Sequence, residues 1–360
     1  MQSETAHRML RHALLATFVL GCFVCLFLSR YNPLSSRDVG AANLAEPAEA
    51  VKIFLSNKSN EKVITLLLWF WPFGVRTNLS GCSSRFNIEG CSLTADRNFY
   101  DEADGVIIHH RDISGDVSNL PKLRRPPFQK WIWMNMESPT NSPRTPRIEN
   151  LFNLTLNYRQ DSNIVLPYGL IEAADGKEDF VLPSKSKLVC WIVSNWNSDH
   201  VRVKYYNELH KHVQIHAYGR AFKAYVSKND FLSTIASCKF YLSFENSIHK
   251  DYISEKFYNP LSMGTVPVVL GPPRQNYENF IQGDAFIHVD DFSSPKELAD
   301  HLLLLNNSEE MYLRYFEWKR YFKVRMTIFT TEHACVTCDY LHKHKEYKAL
   351  SNIGGWYWGD

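Results

Sequence analysis

The sequence predicts an α/β protein built on two open, mainly parallel sheets of the Rossmann type. Short apolar runs that read as buried strands occur in two groups, one at 63–71, 105–109 and 131–136 and the other at 188–193 and 213–216. Probable helices alternate with these runs, a pattern typical of parallel α/β folds. The polar stretch 173–187 lies between the two groups and is predicted to be a linker.

The composition indicates a large globular body and argues against a nucleic-acid partner. Hydrophobic residues make up 45% of the chain, enough for the cores of two domains in the roughly 300 residues after the N-terminal region. Lys and Arg total 40 against 38 for Asp and Glu, so the net charge of +2 provides no basic surface for nucleic acid. An anionic ligand must therefore be bound by local groups.

The N-terminal region is predicted to anchor the protein in a membrane. Residues 13–28 carry no charge and are flanked by Arg8, Arg11 and Arg30. The run is slightly short for a span of about 17–25 residues, yet it is long for a secretory signal and lacks a small-residue cleavage site. We expect a cytoplasmic tail over 1–12, a transmembrane signal anchor over 13–29 and a stem over 30–60. So short a span favours the Golgi membrane.

Sequons and cysteines predict that the body lies in the lumen, which makes the protein a single-pass type II membrane protein. The predicted glycosylation acceptors are Asn57, Asn78, Asn153 and Asn306. Outside the anchor there are six cysteines, an even number suited to disulfides, whose pairing the spacing leaves open: Cys82, Cys91, Cys190, Cys238, Cys335 and Cys338. A zinc half-site or a redox pair at 335–338 is the alternative, but outside the predicted anchor the chain has no second CxxC motif, and there is no thioredoxin-like βαβ unit around 335–338.

The stretch 240–271 carries the most specific chemical signal. It reads FYLSFENSIHKDYISEKFYNPLSMGTVPVVLG, which predicts a strand, a polar turn, an amphipathic helix and a second strand. Glu255 and Lys256 fall in the first turn of the helix, where unpaired backbone N–H groups suit a pyrophosphate. Pro260 removes a backbone hydrogen bond inside this helix and costs about 3 kcal/mol unless a kink accommodates it. For a lone Glu-Lys pair, an ordinary βαβ unit with solvated charges would be the simpler interpretation.

This stretch closely resembles the donor-binding segment of glycosyltransferase family 10, the α1,3-fucosyltransferases, and the resemblance extends over nearly the whole chain, including WFWPFG at 69–74. It implies the GT-B fold, in which two Rossmann-like domains face a cleft. The implied parts are an acceptor-side domain at 61–172, the linker at 173–187, a GDP-fucose-binding domain at 188–330 and a segment at 331–360 that crosses back to the first domain. The implied disulfides are Cys82–Cys335, Cys91–Cys338 and Cys190–Cys238.

The resemblance also assigns the site residues. Glu137, in a Glu-Ser-Pro segment just beyond a predicted strand, matches the catalytic base, although a surface carboxylate would be the ordinary interpretation of such a residue. Arg202 suits a bidentate grip on phosphate oxygens. Taken singly, the aromatic residues of the site would more often be core residues. The implied donor-binding residues are Tyr168, Ile192, Ser194, Asn195, Arg202, Val226, Tyr241, Asn246, Tyr252, Glu255 and Lys256.

Acceptor binding is implied for Val75, Arg111, Glu137 and Tyr168. Arg111 stands in His-His-Arg-Asp, where the family carries Trp or Arg, and Arg resembles the enzymes confined to Galβ1,4GlcNAc (type 2) chains. The product would be Lewis x. Val75 stands where the family's nearest members carry a Gln, so this chain lacks a hydrogen-bonding side chain at that contact.

The implied reaction is inverting transfer of L-fucose from GDP-β-L-fucose to the 3-hydroxyl of GlcNAc. The chain has no Asp-x-Asp motif, so Arg202 and Lys256 are expected to replace a metal, and no cofactor is expected. The expected partners are GDP-fucose, N-acetyllactosamine-type glycans of glycoproteins and glycolipids, and the Golgi membrane, while a homodimer stays an open option. The alternatives are a fucosyltransferase of another linkage, a Golgi lectin without the base, and a lumenal thiol oxidoreductase using Cys335 and Cys338.

Overall fold

The computed structural model describes residues 62–174, 176 and 180–359, and three sheets organise them. The first sheet has six parallel strands in the order β2-β1-β3-β4-β5-β6, with bounds β1 Ile64–Leu68, β2 Cys91–Thr94, β3 Gly105–His109, β4 Lys130–Met134, β5 Leu154–Asn157 and β6 Ile164–Val165. The next strand, β7, is Gly169–Ala173. The second sheet has five parallel strands in the order β12-β11-β10-β8-β9, with bounds β8 Lys187–Ile192, β9 Ile215–Tyr218, β10 Cys238–Phe244, β11 Val266–Leu270 and β12 Ile287–His288. The last strand, β13 (Phe322–Met326), pairs antiparallel with β7. The predicted α/β class with parallel sheets is confirmed.

Most α-helices belong to the later part of the chain. Their bounds are α1 Cys82–Phe86, α2 Val201–Leu209, α3 Phe231–Ala236, α4 Glu255–Ser262, α5 Arg274–Glu278, α6 Pro295–Asn307, α7 Glu309–Arg314, α8 Thr331–Lys343 and α9 Ile353–Trp358. Short 3-10 turns occupy Pro72–Gly74, Arg97–Phe99, His110–Asp112, Pro139–Asn141, Pro146–Ile148, Arg220–Phe222, Gly283–Ala285, Val289–Asp291 and Glu317–Arg320. The connections from β2 to β6 hold only such turns, so the predicted alternation of strands and helices is wrong for the first sheet.

The chain's C-terminal helices cover the first sheet instead. Ala334 and Leu341 of α8 share a core with Ile107 and Ile132 on one face of the sheet. On the other face, Tyr357 of α9 belongs to a core with Leu67, Trp131 and Trp133. Because a parallel sheet must bury both faces, these distant helices supply the cover that the short connections do not.

Three disulfides join the pairs that the family resemblance implies. Cys82–Cys335 and Cys91–Cys338 tie α8 to α1 and to β2 across sequence separations of 253 and 247 residues, and Cys190–Cys238 joins β8 to β10. Cross-links across such long loops restrict the unfolded chain strongly. The first two disulfides therefore stabilise the packing of α8 on the first sheet.

Four of the five predicted strands have shifted bounds. The run 188–193 becomes β8 one residue earlier, at Lys187–Ile192. The run 63–71 forms a strand only over Ile64–Leu68, because the chain turns at Pro72 and Phe73 has a φ of 57°. The run 131–136 begins earlier, at Lys130, and its strand ends at Met134. The run 213–216 becomes β9 two residues later, at Ile215–Tyr218. Because β4 ends at Met134, Glu137 lies farther beyond its strand than the sequence predicted.

Among the described residues, no helix is long and apolar enough to cross a membrane. The predicted tail, anchor and stem, together with Asn57, lie outside the described residues.

Candidate active site

Loops that follow strands of the two sheets meet each other. The Ser247 hydroxyl donates to the Ser138 hydroxyl at 2.7 Å, and Thr140 Oγ1 lies 2.6 Å from His249 Nε2. Ser138 and Thr140 belong to the loop after β4, whereas Ser247 and His249 belong to the loop after β10. The carboxyl ends of parallel strands are where α/β folds bind ligands. The contacts therefore place Glu137 beside the donor-type segment.

Glu137 is held in a defined orientation. Its Oε1 accepts hydrogen bonds from the Ser138 backbone N–H at 2.9 Å and from the Tyr252 hydroxyl at 2.7 Å. Its Oε2 lies 3.8 Å from Nη1 of Arg111. The side chain is 24% exposed. One carboxylate oxygen is therefore fixed by two donors, and the other faces a cation at the edge of the solvent, where it can accept a proton from an incoming hydroxyl.

Three tyrosines support the loop that carries Glu137. Tyr252 is 2% exposed, and burial, reinforced by the Tyr168 hydroxyl and the Glu245 and Glu137 carboxylates, raises the pKa of its hydroxyl well above the usual value, so it remains a donor. The Tyr168 hydroxyl donates to the Met136 carbonyl and the Tyr357 hydroxyl to the Glu137 carbonyl. Tyr357 comes from α9, near the C-terminal end of the chain. Nothing local in the sequence links α9 to Glu137, so the sequence did not predict this role for Tyr357.

A cavity of about 260 Å³ lies at the ends of β8 and β10. It is lined by Ile192, Val193, Ser194, Asn195, Arg202, Phe231, Ile235, Tyr241, Asn246, Glu255, Lys256 and Asn259. The predicted donor residues all line it except Tyr168, Val226 and Tyr252. The volume is slightly below the ~300–1,000 Å³ of typical ligand pockets.

Arg202 is a buried cation that lines this cavity, and one of its N–H donors has no hydrogen-bond partner. It is 4% exposed, and its guanidinium donates to the Asn195 carbonyl at 2.6 Å and to the Phe244 carbonyl at 3.4 Å. Its Nε is buried and has no partner in the structure. Burial lowers the pKa of Arg202, an effect that the Glu245 carboxylate opposes. A buried donor without a partner costs about 1–3 kcal/mol, which an anionic ligand in the cavity would relieve.

Lys256 lies in the first turn of α4, as predicted. Its Nζ contacts Ser254 Oγ at 2.8 Å, Glu255 Oε1 at 3.1 Å and Glu245 Oε2 at 3.2 Å. Burial lowers the pKa of Lys256, but the Glu245 and Glu255 carboxylates outweigh it and raise the pKa above the usual value. The lysine is therefore charged. Of its two carboxylate partners, Glu255 is the exposed one, with 45% of its side chain exposed, and Glu245 is the buried one.

Glu245, a residue not predicted from the sequence, organises the start of α4. Glu245 is 2% exposed, and its Oε1 accepts from both the backbone N–H and the hydroxyl of Ser254, each at 2.8 Å. Burial raises the pKa of Glu245, whereas the Lys256 charge lowers it. Its position directly after the apolar strand β10 was the signal in the sequence that could have identified it.

The structure explains how α4 tolerates Pro260. A proline at this position leaves the Lys256 carbonyl without its usual backbone donor. The Ser243 hydroxyl of β10 donates to that carbonyl at 2.7 Å. The expected cost of about 3 kcal/mol is therefore reduced by a side chain from the neighbouring strand. Phe257 and Leu261 of α4 are buried in one core together with Ile253, which precedes the helix.

Two protein-family models match the chain. The family described as "Fucosyltransferase, N-terminal" matches residues 61–169, and the family described as "Glycosyltransferase family 10 (fucosyltransferase) C-term" matches residues 182–356. The chain belongs to glycosyltransferase family 10. The 4-galactosyl-N-acetylglucosaminide 3-alpha-L-fucosyltransferase 9 of Rattus norvegicus is 51% identical over 357 residues, 99% of each chain. The 3-galactosyl-N-acetylglucosaminide 4-alpha-L-fucosyltransferase FUT3 of Pan troglodytes is 43% identical over 300 residues, covering 82% of this chain and 80% of its own.

Among solved structures, a crystal structure of an alpha1,3-fucosyltransferase with GDP-fucose matches with a TM-score of 0.48 and 18% identity, covering 71% of this chain and 80% of its own. The two relatives above are named for different linkages. Family 10 membership therefore does not by itself choose the acceptor hydroxyl.

Val226 and Val75, which the family resemblance also implies for the site of this family 10 chain, are not among the residues that line the cavity. Val226 is half-buried between β9 and α3 and does not line the cavity. Val75 is 60% exposed beyond the turn at Pro72–Gly74. By contrast, Arg111 lies next to Glu137, although the sequence offered no evidence for that contact.

The predicted glycosylation acceptors of this family 10 chain differ in accessibility. Asn78 and Asn306 are exposed. Asn153 is 3% exposed, its Nδ2 donates to the Lys348 carbonyl at 3.1 Å, and its Oδ1 accepts from the Trp131 N–H at 2.8 Å. A glycan on Asn153 would have to displace the Lys348 contact and open the surrounding core.

Proposed function

We propose that the protein is an inverting α1,3-fucosyltransferase that moves L-fucose from GDP-β-L-fucose to the 3-hydroxyl of GlcNAc in Galβ1,4GlcNAc chains, making Lewis x. One observation carries the proposal: the loop of Glu137, which Tyr252 orients, contacts through Ser138 the loop after β10. That loop contributes Asn246 to the cavity lined by the cations Arg202 and Lys256. The names of its half-identical relatives support the acceptor and the linkage.

In the proposed reaction, Glu137 Oε2 takes the proton of the GlcNAc 3-hydroxyl as that oxygen bonds to C1 of fucose. The bond from C1 to the diphosphate oxygen breaks on the opposite face, GDP leaves with the bonding electrons, and the β-linkage becomes α. General-base help of this kind contributes about 10²–10⁴-fold in rate. Arg202 and Lys256 stabilise the negative charge that develops on the diphosphate.

The GT-B arrangement and the Golgi location belong to the same proposal. Two separate parallel sheets whose loops meet at Glu137 support two Rossmann-like domains facing a cleft. The uncharged run at 13–28 supports a type II signal anchor. The three disulfides support an oxidising compartment for the body.

The deciding assay incubates the full-length protein in detergent with GDP-fucose and matched type 1 and type 2 disaccharides. We expect fucose on the GlcNAc 3-hydroxyl of the type 2 acceptor, and NMR of the product should show an α-anomeric proton. Transfer to a galactose hydroxyl, a β-linked product or hydrolysis of GDP-fucose alone would contradict the proposal.

Arg111→Trp is expected to let type 1 acceptors compete with type 2 acceptors. The two disaccharides exchange the galactose and the hydroxyl between GlcNAc positions 3 and 4, so a group beside Glu137 can select the productive orientation. Such discrimination needs only about 1–3 kcal/mol. The measurement is the ratio of kcat/KM for the two acceptors. A ratio that stays fixed in Arg111→Trp would remove Arg111 from acceptor selection.

Activity is expected to persist in excess EDTA. The expectation rests on the missing Asp-x-Asp motif and on the two cations that line the cavity. Initial rates are compared before and after chelation and again after adding Mn²⁺. Loss of activity in EDTA with recovery in Mn²⁺ would show that a metal supports the leaving diphosphate.

A further inference from the structure

Two exposed phenylalanines form an aromatic platform next to Arg111. Phe73 is 58% exposed and Phe329 is 37% exposed. Their rings are stacked, with centroids 6.1 Å apart and planes inclined by 30°. Both rings also contact the buried His109, at 4.9 Å from Phe73 and 6.2 Å from Phe329. We call Phe73 and Phe329 the aromatic platform.

The aromatic platform requires a strained backbone conformation at Phe73. Phe73 has a φ of 57°, a conformation that a bulky residue seldom adopts and that costs about 1–3 kcal/mol. It is held there by Asp112, whose Oδ2 accepts from the Phe73 N–H at 3.2 Å and contacts His109 Nδ1 at 2.7 Å. Asp112 thus fastens the loop after β1 to the loop after β3, and it fixes an apolar ring in an exposed position.

The platform is separated from Glu137 by one guanidinium group. Arg111 Cζ lies 5.8 Å from the centroid of the Phe73 ring, and its Nη1 lies 3.8 Å from Glu137 Oε2. Arg111 itself is partly exposed. An acceptor that presents a GlcNAc hydroxyl to Glu137 can therefore reach across Arg111 with its next sugar and place that sugar on the platform.

We propose that the aromatic platform binds the galactose of the acceptor. The inference rests on the proposed function. Galactose suits an aromatic ring because its axial 4-hydroxyl leaves the hydrogens of C3, C4 and C5 together on one apolar face. Stacking on Phe73 and Phe329 buries that face, and the polar edge of the sugar remains available to Arg111 and water. The platform would thus recognise a galactose already attached to GlcNAc.

The test measures kcat/KM with GlcNAc alone and with Galβ1,4GlcNAc in full-length Phe73→Ala and Phe329→Ala. We expect each variant to lower kcat/KM for the disaccharide by about five- to tenfold, with unchanged kcat/KM for GlcNAc and unchanged KM for GDP-fucose. Phe73→Tyr keeps the ring and should restore the parent value. Phe128→Ala is the matched control. Phe128 is exposed like Phe73, at 54%, but it precedes β4 and so lies at the amino ends of the strands, away from the loops at their carboxyl ends.

A second measurement detects the contact directly. In saturation-transfer NMR of the GDP-loaded parent with Galβ1,4GlcNAc, galactose H3, H4 and H5 should receive the strongest transfer and should lose it in Phe73→Ala. Transfer confined to GlcNAc, or equal kinetic losses with both acceptors in folded variants, would overturn the platform. A parent protein that transfers no fucose would instead overturn the proposed function.

Discussion

Glu137→Gln is expected to lower kcat by at least about 100-fold without changing the affinity for GDP. The glutamine Oε1 can still accept hydrogen bonds from the Ser138 N–H and the Tyr252 hydroxyl, the two donors that hold the carboxylate. What the amide cannot do is take the proton of the acceptor hydroxyl. The measurement is kcat at saturating GDP-fucose and type 2 acceptor, with the dissociation constant of GDP from calorimetry.

Glu208→Gln provides the control for this change. Glu208 is exposed on α2 and pairs with Lys211, so its substitution removes one carboxylate without touching the site. We expect parent activity from it. Parent-like turnover in Glu137→Gln would remove Glu137 as the base, and a loss of GDP affinity equal to the loss of kcat would show a structural defect instead.

The sequence predicted the polar side chains that follow the central strands. Glu137, Ser194 and Asn246 each follow a nearly uninterrupted apolar run, and loops after parallel strands gather at one edge of a sheet. Such placement follows from local pattern alone. Ser194 and Asn246 line one cavity with Arg202 and Lys256. The cavity does not test what the grouped residues bind.

Contacts between distant parts of the chain could not be predicted in this way. The hydrogen bond from Tyr357 to the Glu137 carbonyl joins residues 220 positions apart, and α8 and α9 cover a sheet whose strands lie at the start of the body. The hydrophobic periodicity of residues 331–358 can indicate an apolar helix face, but it cannot indicate which surface that face covers. Only the family resemblance implied that the segment 331–360 returns to the first sheet, through the pairs Cys82–Cys335 and Cys91–Cys338.

Ser243 shows the same limit at short range. From the sequence, Pro260 is expected to destabilise its helix, because the sequence pattern shows the missing backbone hydrogen bond but no group that replaces it. The compensating Ser243 hydroxyl lies on β10 and becomes relevant only when β10 packs beside α4. Glu245 escaped assignment for a related reason, since its partners Ser254 and Lys256 are local in sequence but its burial is not.

Lys256→Met is expected to weaken GDP binding about 10- to 100-fold, the effect of losing one charge-assisted contact worth ~1.5–3 kcal/mol. The substitution also leaves Glu245 buried without its cation, which costs about 3–5 kcal/mol of folding stability. A single variant therefore confounds binding with stability. Both losses are measured, by calorimetry with GDP and by denaturant unfolding.

The double variant Lys256→Met with Glu245→Gln separates the two effects. Neutralising Glu245 removes the unpaired buried charge, and the amide oxygen can still accept from the Ser254 N–H and hydroxyl that Glu245 now holds. We expect stability to recover most of the way to the parent value, while GDP affinity stays as low as in Lys256→Met. Recovery of GDP affinity together with stability would contradict a direct role, because it would show that Lys256 serves only to compensate Glu245.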